Sequence, residues 1–179
     1  NKHATDRATK ISQVSKVSKK NKNLFRTSYL PAATWGHPAC GVSPGHVIKM
    51  EQQALNCAGL DKKGRCRATG LVTHYGPMGT PMAVIIRELV FNWFLVLPHI
   101  ISRGLLKDLV LAWDKGVEWL HDRQYPFNHV RGIMTKLIAV LNSLGWVPES
   151  LNKWHDPTGF IWNMQDNIPP LVVVRALVD

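Results

Sequence analysis

The stretch that decides the fold is Thr80-Pro81-Met82-Ala83-Val84-Ile85-Ile86-Arg87-Glu88-Leu89-Val90-Phe91-Asn92-Trp93-Phe94-Leu95-Val96-Leu97-Pro98. Met82, Ile85, Ile86, Leu89, Val90, Trp93, Phe94 and Leu97 recur at three and four residues, the spacing of one wide helical face. Thr80 supplies a side-chain oxygen for the first free backbone N–H groups, and Pro81 tolerates the first helical position. Pro98 predicts the end, because it lacks the N–H that would continue the ladder. The apolar run Leu89 to Ile101 has 13 residues and contains Asn92, Pro98 and His99. A membrane span needs about 20 apolar residues, so the reading is a buried helix and no membrane partner.

The same grammar repeats on both sides. Upstream, Ser43-Pro44 opens a helix carrying Val47, Ile48, Ala54, Leu55 and Ala58, with Gly59 as its stop, so a helix is expected over 44–58. Downstream, Ser102 is expected to cap a helix bearing Leu105, Leu106, Leu109, Val110, Trp113, Val117 and Leu120 to about residue 122. Tyr125-Pro126 breaks it. Asn128 is expected to cap a fourth helix with Ile133, Met134, Leu137, Ile138, Leu141 and Leu144, stopped by Gly145. No strand alternation separates these helices. Ala68 to His74 reads as one short helix or strand, after a basic loop Asp61-Lys62-Lys63-Gly64-Arg65-Cys66-Arg67. Trp154-His155-Asp156-Pro157-Thr158-Gly159-Phe160-Ile161-Trp162 reads as two short strands around a turn. Pro169-Pro170 starts a last helix over 171–178, with a buried strand through Leu171-Val172-Val173-Val174 as the alternative. The expected class is mainly α: a helical domain of about four to five amphipathic helices with a small C-terminal β-hairpin.

The chain has 179 residues, 45% of them hydrophobic, which is enough for a packed core. It holds 22 Lys and Arg against 12 Asp and Glu, a net charge of +10. An excess of that size points to a polyanionic partner. Residues 1–26 contain Lys2, Arg7, Lys10, Lys16, Lys19, Lys20, Lys22 and Arg26 against Asp6, which is +7 of the total. The expected organisation is therefore a basic arm (1–26), a helical body (27–147), and a hairpin with a terminal helix packed on the body (148–179). The arm's Ile11, Val14, Val17 and Leu24 are loosely helical in spacing, so it reads as a basic helix laid on phosphates or as a tether. Lysine dominates it, which suits phosphate contact better than bidentate base reading. The candidate contacts are Lys10, Lys16, Lys19, Lys20, Lys22 and Arg26, with Lys62, Lys63, Arg65 and Arg67 as a second patch. Trp35, beside Gly36 and His37, is a candidate for base stacking. Trp93 and Trp113 read as core, and Trp146, Trp154 and Trp162 as residues that close the hairpin over the helices.

Three Cys residues without regular spacing exclude a disulfide scaffold and favour a reducing compartment, nuclear or cytoplasmic. His37, Cys40, His46, Cys57, Cys66 and His74 fall within 38 residues, but there is no C-x-x-C pair. Cys40, His46, Cys57 and Cys66 are the zinc candidates, weighed against small buried hydrophobes. Asp114, Glu118 and Asp122 follow at i, i+4 and i+8. A row along one helix reads as a solvated face, because two-metal chemistry draws carboxylates from separate elements. There is no G-x-S-x-G, no Walker-type Gly-Lys-Ser/Thr and no H-E-x-x-H. A self-contained active site and a bound cofactor are not expected.

Phe25-x-x-x-Tyr29-Leu30-Pro31-Ala32-Ala33-Thr34-Trp35-Gly36-His37, followed by Gly41-Val42-Ser43-Pro44 and a helix, resembles the thumb just after the palm of non-LTR (LINE-like) retrotransposon reverse transcriptases. Leu144-Gly145-Trp146, Trp154-His155-Asp156-Pro157-Thr158-Gly159 and Pro169-Pro170-Leu171 are similar to the linker after that thumb. The resemblance implies a helical unit gripping a template–primer duplex, be it RNA, DNA or hybrid, as part of a longer polyprotein. The family's Tyr/Phe-x-Asp-Asp motif is not in this sequence, so polymerase chemistry does not carry over. The alternative is a helical protein–protein interaction or assembly module with a basic tether. That reading expects an exposed apolar patch on the Trp93 or Trp113 helices.

Overall fold

The computed structural model describes residues 2–15, 21–37, 42–60 and 66–179. The protein is mainly helical, with one two-stranded antiparallel sheet. Helices α1 (Lys2–Ser15) and α2 (Asn21–Leu24) come first. A π-helical turn, Phe25–Tyr29, joins α2 to α3 (Leu30–Ala33). Then follow α4 (Pro44–Cys57), α5 (Arg67–Tyr75), α6 (Pro81–Ser102), α7 (Leu106–His121) and α8 (Gly132–Ser143). Strands β1 (Lys153–His155) and β2 (Ile161–Asn163) precede α9 (Pro170–Val178). The helices outnumber the four to five expected, because the segment 1–26 that charge patterning had set apart as an arm contributes α1 and α2, and short helices such as α3 add to the body.

The chain forms two compact units. The first comprises residues 1–37 and 42–85; the second is essentially 86–177. The division falls inside α6, not at the expected boundaries near 26 and 147. The apolar residues of the arm are the reason at its N-terminal end. Ala8, Ile11 and Phe25 belong to the same buried cluster as Val47, Met50, Ala54, Leu71, Tyr75 and Ile85. Burying them offsets the cost of ordering α1.

In the first unit, Phe25 is fully buried, stacks on Tyr29 at 4.9 Å and meets Tyr75 at a tilt with ring centroids 5.2 Å apart. Tyr75 donates its hydroxyl to the Ala54 carbonyl at 2.8 Å, and Tyr29 donates to Gln53 Oε1. Burial pushes the Tyr29 hydroxyl up to about 12. The capped start of α4 is as read: Ser43 Oγ accepts from the His46 N–H at 3.3 Å. Ala68 to His74 resolves as helix.

In the second unit, Trp93 and Trp113 pack at 5.3 Å. Each indole N–H is satisfied by backbone, Trp93 donating to Leu151 O and Trp113 to Pro148 O. Gly116 lets α7 approach α8 closely, since a Cβ there would stand 3.2 Å from Ile138 Cδ1. The hairpin pairs Trp154 with Trp162, and Trp162 packs on Trp146 at 5.6 Å. Asp156 closes the turn. It accepts from Thr158 Oγ1, the Thr158 and Phe160 N–H groups, and Trp162 Nε1. The Thr158 hydroxyl first, then the Trp162 indole, hold its carboxyl down at about 2. Lys136 is buried with its ammonium 4.3 Å from the Phe127 ring centroid, and desolvation lowers it to about 8.

Three expected helix ends move. α6 continues through Pro98 to Ser102. Proline costs one backbone bond there, and no residue from 94 to 102 is buried, so water can serve the freed carbonyl. The stop is Gly104 at φ +74°, where Leu105 N–H bonds Ile100 O and Gly104 N–H bonds Ile101 O. Ser102 ends α6, donating to His99 O, and does not cap α7. Pro126–Asn128 is a 3₁₀ turn, and α8 starts instead at Gly132, where Thr135 Oγ1 accepts from the Arg131 N–H at 2.8 Å. The terminal segment is helical despite its valines, with Val173, Val174 and Leu177 buried at helical spacing. The buried helix read at 89–101 is buried only in part. Leu89, Val90 and Trp93 are core, whereas Leu95 is 72% exposed. By length and composition alone α6 meets the requirement of a membrane-crossing helix, with a third of its most apolar window buried.

Candidate nucleic-acid interface

Lys10 is exposed on α1 between the buried Ala8 and Ile11, so its ammonium reaches solvent while the helix is anchored beneath it. Arg7 is also exposed and donates to the Ser28 carbonyl at 3.1 Å. That bond ties α1 to the π-helical turn, where Arg26 is exposed. The Arg26 guanidinium carbon lies 4.0 Å from where a Cβ would stand on Gly79. Arg7, Lys10 and Arg26 are thus the described basic side chains of the arm that reach solvent on one packed unit. Arg7 was not among the sequence candidates; its separation from the lysine run concealed it.

Arg67 is engaged differently. Its Nε lies 2.9 Å from Glu51 Oε2, so part of its charge is neutralised within the chain. Burial pushes the Glu51 carboxyl up, and Arg67 opposes that shift. The backbone of Lys22 is in α2, but its side chain lies outside the described residues, as do Lys16, Lys19, Lys20, Lys62, Lys63 and Arg65. Trp35 is 90% exposed, immediately before Gly36 at φ +75°. Its neighbour His37 is the opposite case, buried with Nδ1 2.9 Å from Thr34 O.

The charge partition follows the units. Residues 1–85 hold 13 basic and 3 acidic residues, net +10. Residues 86–179 hold 9 of each, net zero. The first unit, which takes its charged residues from 1–85, therefore carries the whole net charge of the protein.

The zinc candidates do not converge among the described residues. Cys57 is fully buried and donates its thiol to Ala8 O at 3.5 Å; burial pushes it up to about 11. Cys66 is exposed, and hydrogen bonds from Thr69, then Ala68, hold its thiol below the usual range. His46 is exposed on the first turn of α4, and Cys40 lies outside the described residues. No group of three or more His, Cys, Asp or Glu fit for a metal ion occurs among the described residues. The acidic row on α7 does gain a neighbour from another element: Asp114, Glu118, His121 and Asp122 line an open cavity of about 350 Å³ together with Glu149. Glu149 is already engaged, accepting from Lys153 Nζ at 2.8 Å and paired with His155. The Lys153 and His155 contacts hold its carboxyl below the ordinary range.

No family model matches the chain, and no curated protein or solved structure matches it.

Proposed function

We propose that the protein is a non-catalytic nucleic-acid-gripping module resembling the thumb and linker of a LINE-like reverse transcriptase. The observation that carries this reading is the confinement of the entire net charge of +10 to the first unit. A scattered excess would serve solubility; an excess concentrated on one packed unit raises the local attraction for a polyanion. Lys10, Arg7 and Arg26 contact phosphates, and the exposed Trp35 offers a stacking face for an unpaired base. Binding is sequence-tolerant, since single ammonium and guanidinium contacts to phosphate carry no base code.

The test is a salt titration of binding to a labelled duplex and to a single strand of the same length. The logarithm of the association constant should fall by roughly 0.7 to 0.9 per phosphate contacted for each tenfold rise in salt. A flat response ends the reading.

A second reading, the assembly module, is favoured by the exposed apolar side chains of α6 and α7 in the other unit, Leu95 and Leu111 foremost.

A further inference from the structure

Between the buried Trp93 and the buried Trp113 no residue is buried, although most of residues 94–112 are apolar. This is a helical hairpin: the end of α6, the Arg103-Gly104 turn, and the start of α7. The apolar stripe of each helix is core on one side of the hairpin and uncovered here. Leu95, Ile101, Leu105, Leu106, Val110 and Leu111 keep between 42 and 72% of their surface exposed. Spread over both helices, they expose on the order of 500 Å² of apolar area, and Val110 and Leu111 are the two of them that share the outward face of α7.

The charges beside this patch have a definite order. Along α7 and its leading turn, Arg103 and Lys107 come before the exposed Val110 and Leu111, and Asp114 and Glu118 come after them; Asp108 and Lys115, also exposed, lie about a quarter-turn round the helix from the face that carries Val110 and Leu111. The order is complementary to its own reversal about the midpoint of Val110 and Leu111. Lys107 and Asp114 stand three and a half residues to either side of that point, and Arg103 and Glu118 stand seven and a half. All four are exposed, and none makes an ion pair among the described residues. Lys107, Val110, Leu111, Asp114 and Glu118 also fall on one face of the helix, by their three- and four-residue spacing.

We propose that a second copy of this chain covers the patch, its α7 lying antiparallel against the first about a two-fold axis between Val110 and Leu111. Val110 and Leu111 of the two copies form the apolar centre. Lys107 of each copy faces Asp114 of the other, and Arg103 faces Glu118. A two-fold axis makes each contact twice, which is the usual economy of an isologous interface. The incoming cations enter the cavity lined by Asp114, Glu118, Asp122 and Glu149, where four carboxylates are gathered. A lipid surface is the weaker occupant: Arg103 and Lys107 sit at the hairpin tip, where insertion would bury them, and the carboxylates close behind repel anionic headgroups. The inference rests on the assembly reading and names its partner. It is independent of the nucleic-acid reading of the first unit.

The experiment is sedimentation equilibrium of the full chain, freed of nucleic acid, from about 1 to 200 µM. The expected result is a dimer that weakens with salt. Leu111→Glu should weaken it at least about 30-fold without changing the circular dichroism, since Leu111 is 55% exposed. Lys107→Glu and Asp114→Lys should each weaken it about 10-fold, because each sets like charges face to face; the double variant should return to within about 3-fold of the parent. A dimer abolished by Leu111→Glu but indifferent to both charge changes overturns the antiparallel pairing and leaves assembly through the patch standing. A chain that stays monomeric over the whole range overturns self-association. If that monomer co-sediments with phosphatidylserine vesicles, the patch belongs to lipid and both readings of it as a protein interface fall.

Discussion

The two units are built alike and charged differently. Each closes around a pair of fully or nearly fully buried aromatic rings: Phe25 on Tyr29 at 4.9 Å in the first, Trp93 on Trp113 at 5.3 Å in the second. The Tyr29 and Tyr75 hydroxyls and the Trp93 and Trp113 indole N–H groups are satisfied internally, whereas the buried Trp154 indole nitrogen has no partner among the described residues. Yet the first unit carries +10 and the second is neutral, while the second leaves a long apolar hairpin uncovered. The contrast teaches that core construction and surface chemistry are separable. One surface is suited to a polyanion in water; the other is suited to a partner that removes apolar area from water.

The largest effect expected on this comparison is on stability. Trp113→Ala removes a fully buried ring, its contact with Trp93 and the bond to Pro148 O. It should cost about 3 to 5 kcal/mol by urea denaturation, as Phe25→Ala should in the first unit. If one of the pair costs under about 1 kcal/mol, the two cores are not equivalent and the parallel between the units breaks.

Next comes a charge reversal placed in each unit. Lys10→Glu with Arg26→Glu should weaken duplex binding by at least about tenfold and lower the salt slope by about 2. Both residues are exposed, so thermal stability should hold. Lys115→Glu with Arg131→Glu, equally exposed but in the neutral unit, should leave binding nearly unchanged. Equal losses from both pairs, measured by fluorescence anisotropy, would erase the functional distinction between the units.

A smaller effect lies at Lys136, whose buried ammonium is lowered to about 8. The unfolded chain holds its proton to about 10.4, so it binds more protons than the native state between about 8 and 10.4, and stability should rise with pH across that window. Lys136→Met should gain on the order of 1 kcal/mol at pH 7 and lose that advantage near pH 11. Thermal midpoints at the two pH values decide it.

The smallest concerns Asp156, held down at about 2. A depressed carboxylate contributes stability that is fully present above the unfolded value near 4 and is lost as pH falls toward 2. Asp156→Asn should flatten the acid limb of the pH–stability curve and should leave nucleic-acid binding untouched. An unchanged acid limb would mean that the turn does not depend on the carboxylate.

The helical class was legible in the sequence because period and caps are local signals. Ser43-Pro44 and Thr80-Pro81 each placed a helix start, and the Asp156 turn was readable from Asp-Pro-Thr-Gly. Residues 2–33 were harder, since their lysines dominate the composition while Ala8, Ile11 and Phe25 do the packing. Pro98 misled for a physical reason: a proline terminates a helix whose other backbone bonds are weak, and here Gly104, not Pro98, supplied the stop. Of the phosphate-contact candidates, Lys10 and Arg26 are exposed. Arg7 needed the fold, because its neighbour Ser28 is 21 residues away. Cys57 likewise needed it, since the thiol weighed as a zinc candidate faces Ala8 O, a contact made across 49 residues.

The sequence by itself determined the helical class, the hairpin and the total charge, since these follow from side-chain type and from spacing over a few residues. Only the tertiary structure decided that the charge belongs to one unit, that the arm's apolar residues join that unit's core, and that the hairpin between Trp93 and Trp113 is left uncovered. Those are statements about which surfaces lose water to which, and burial is set by contacts between residues far apart in the chain.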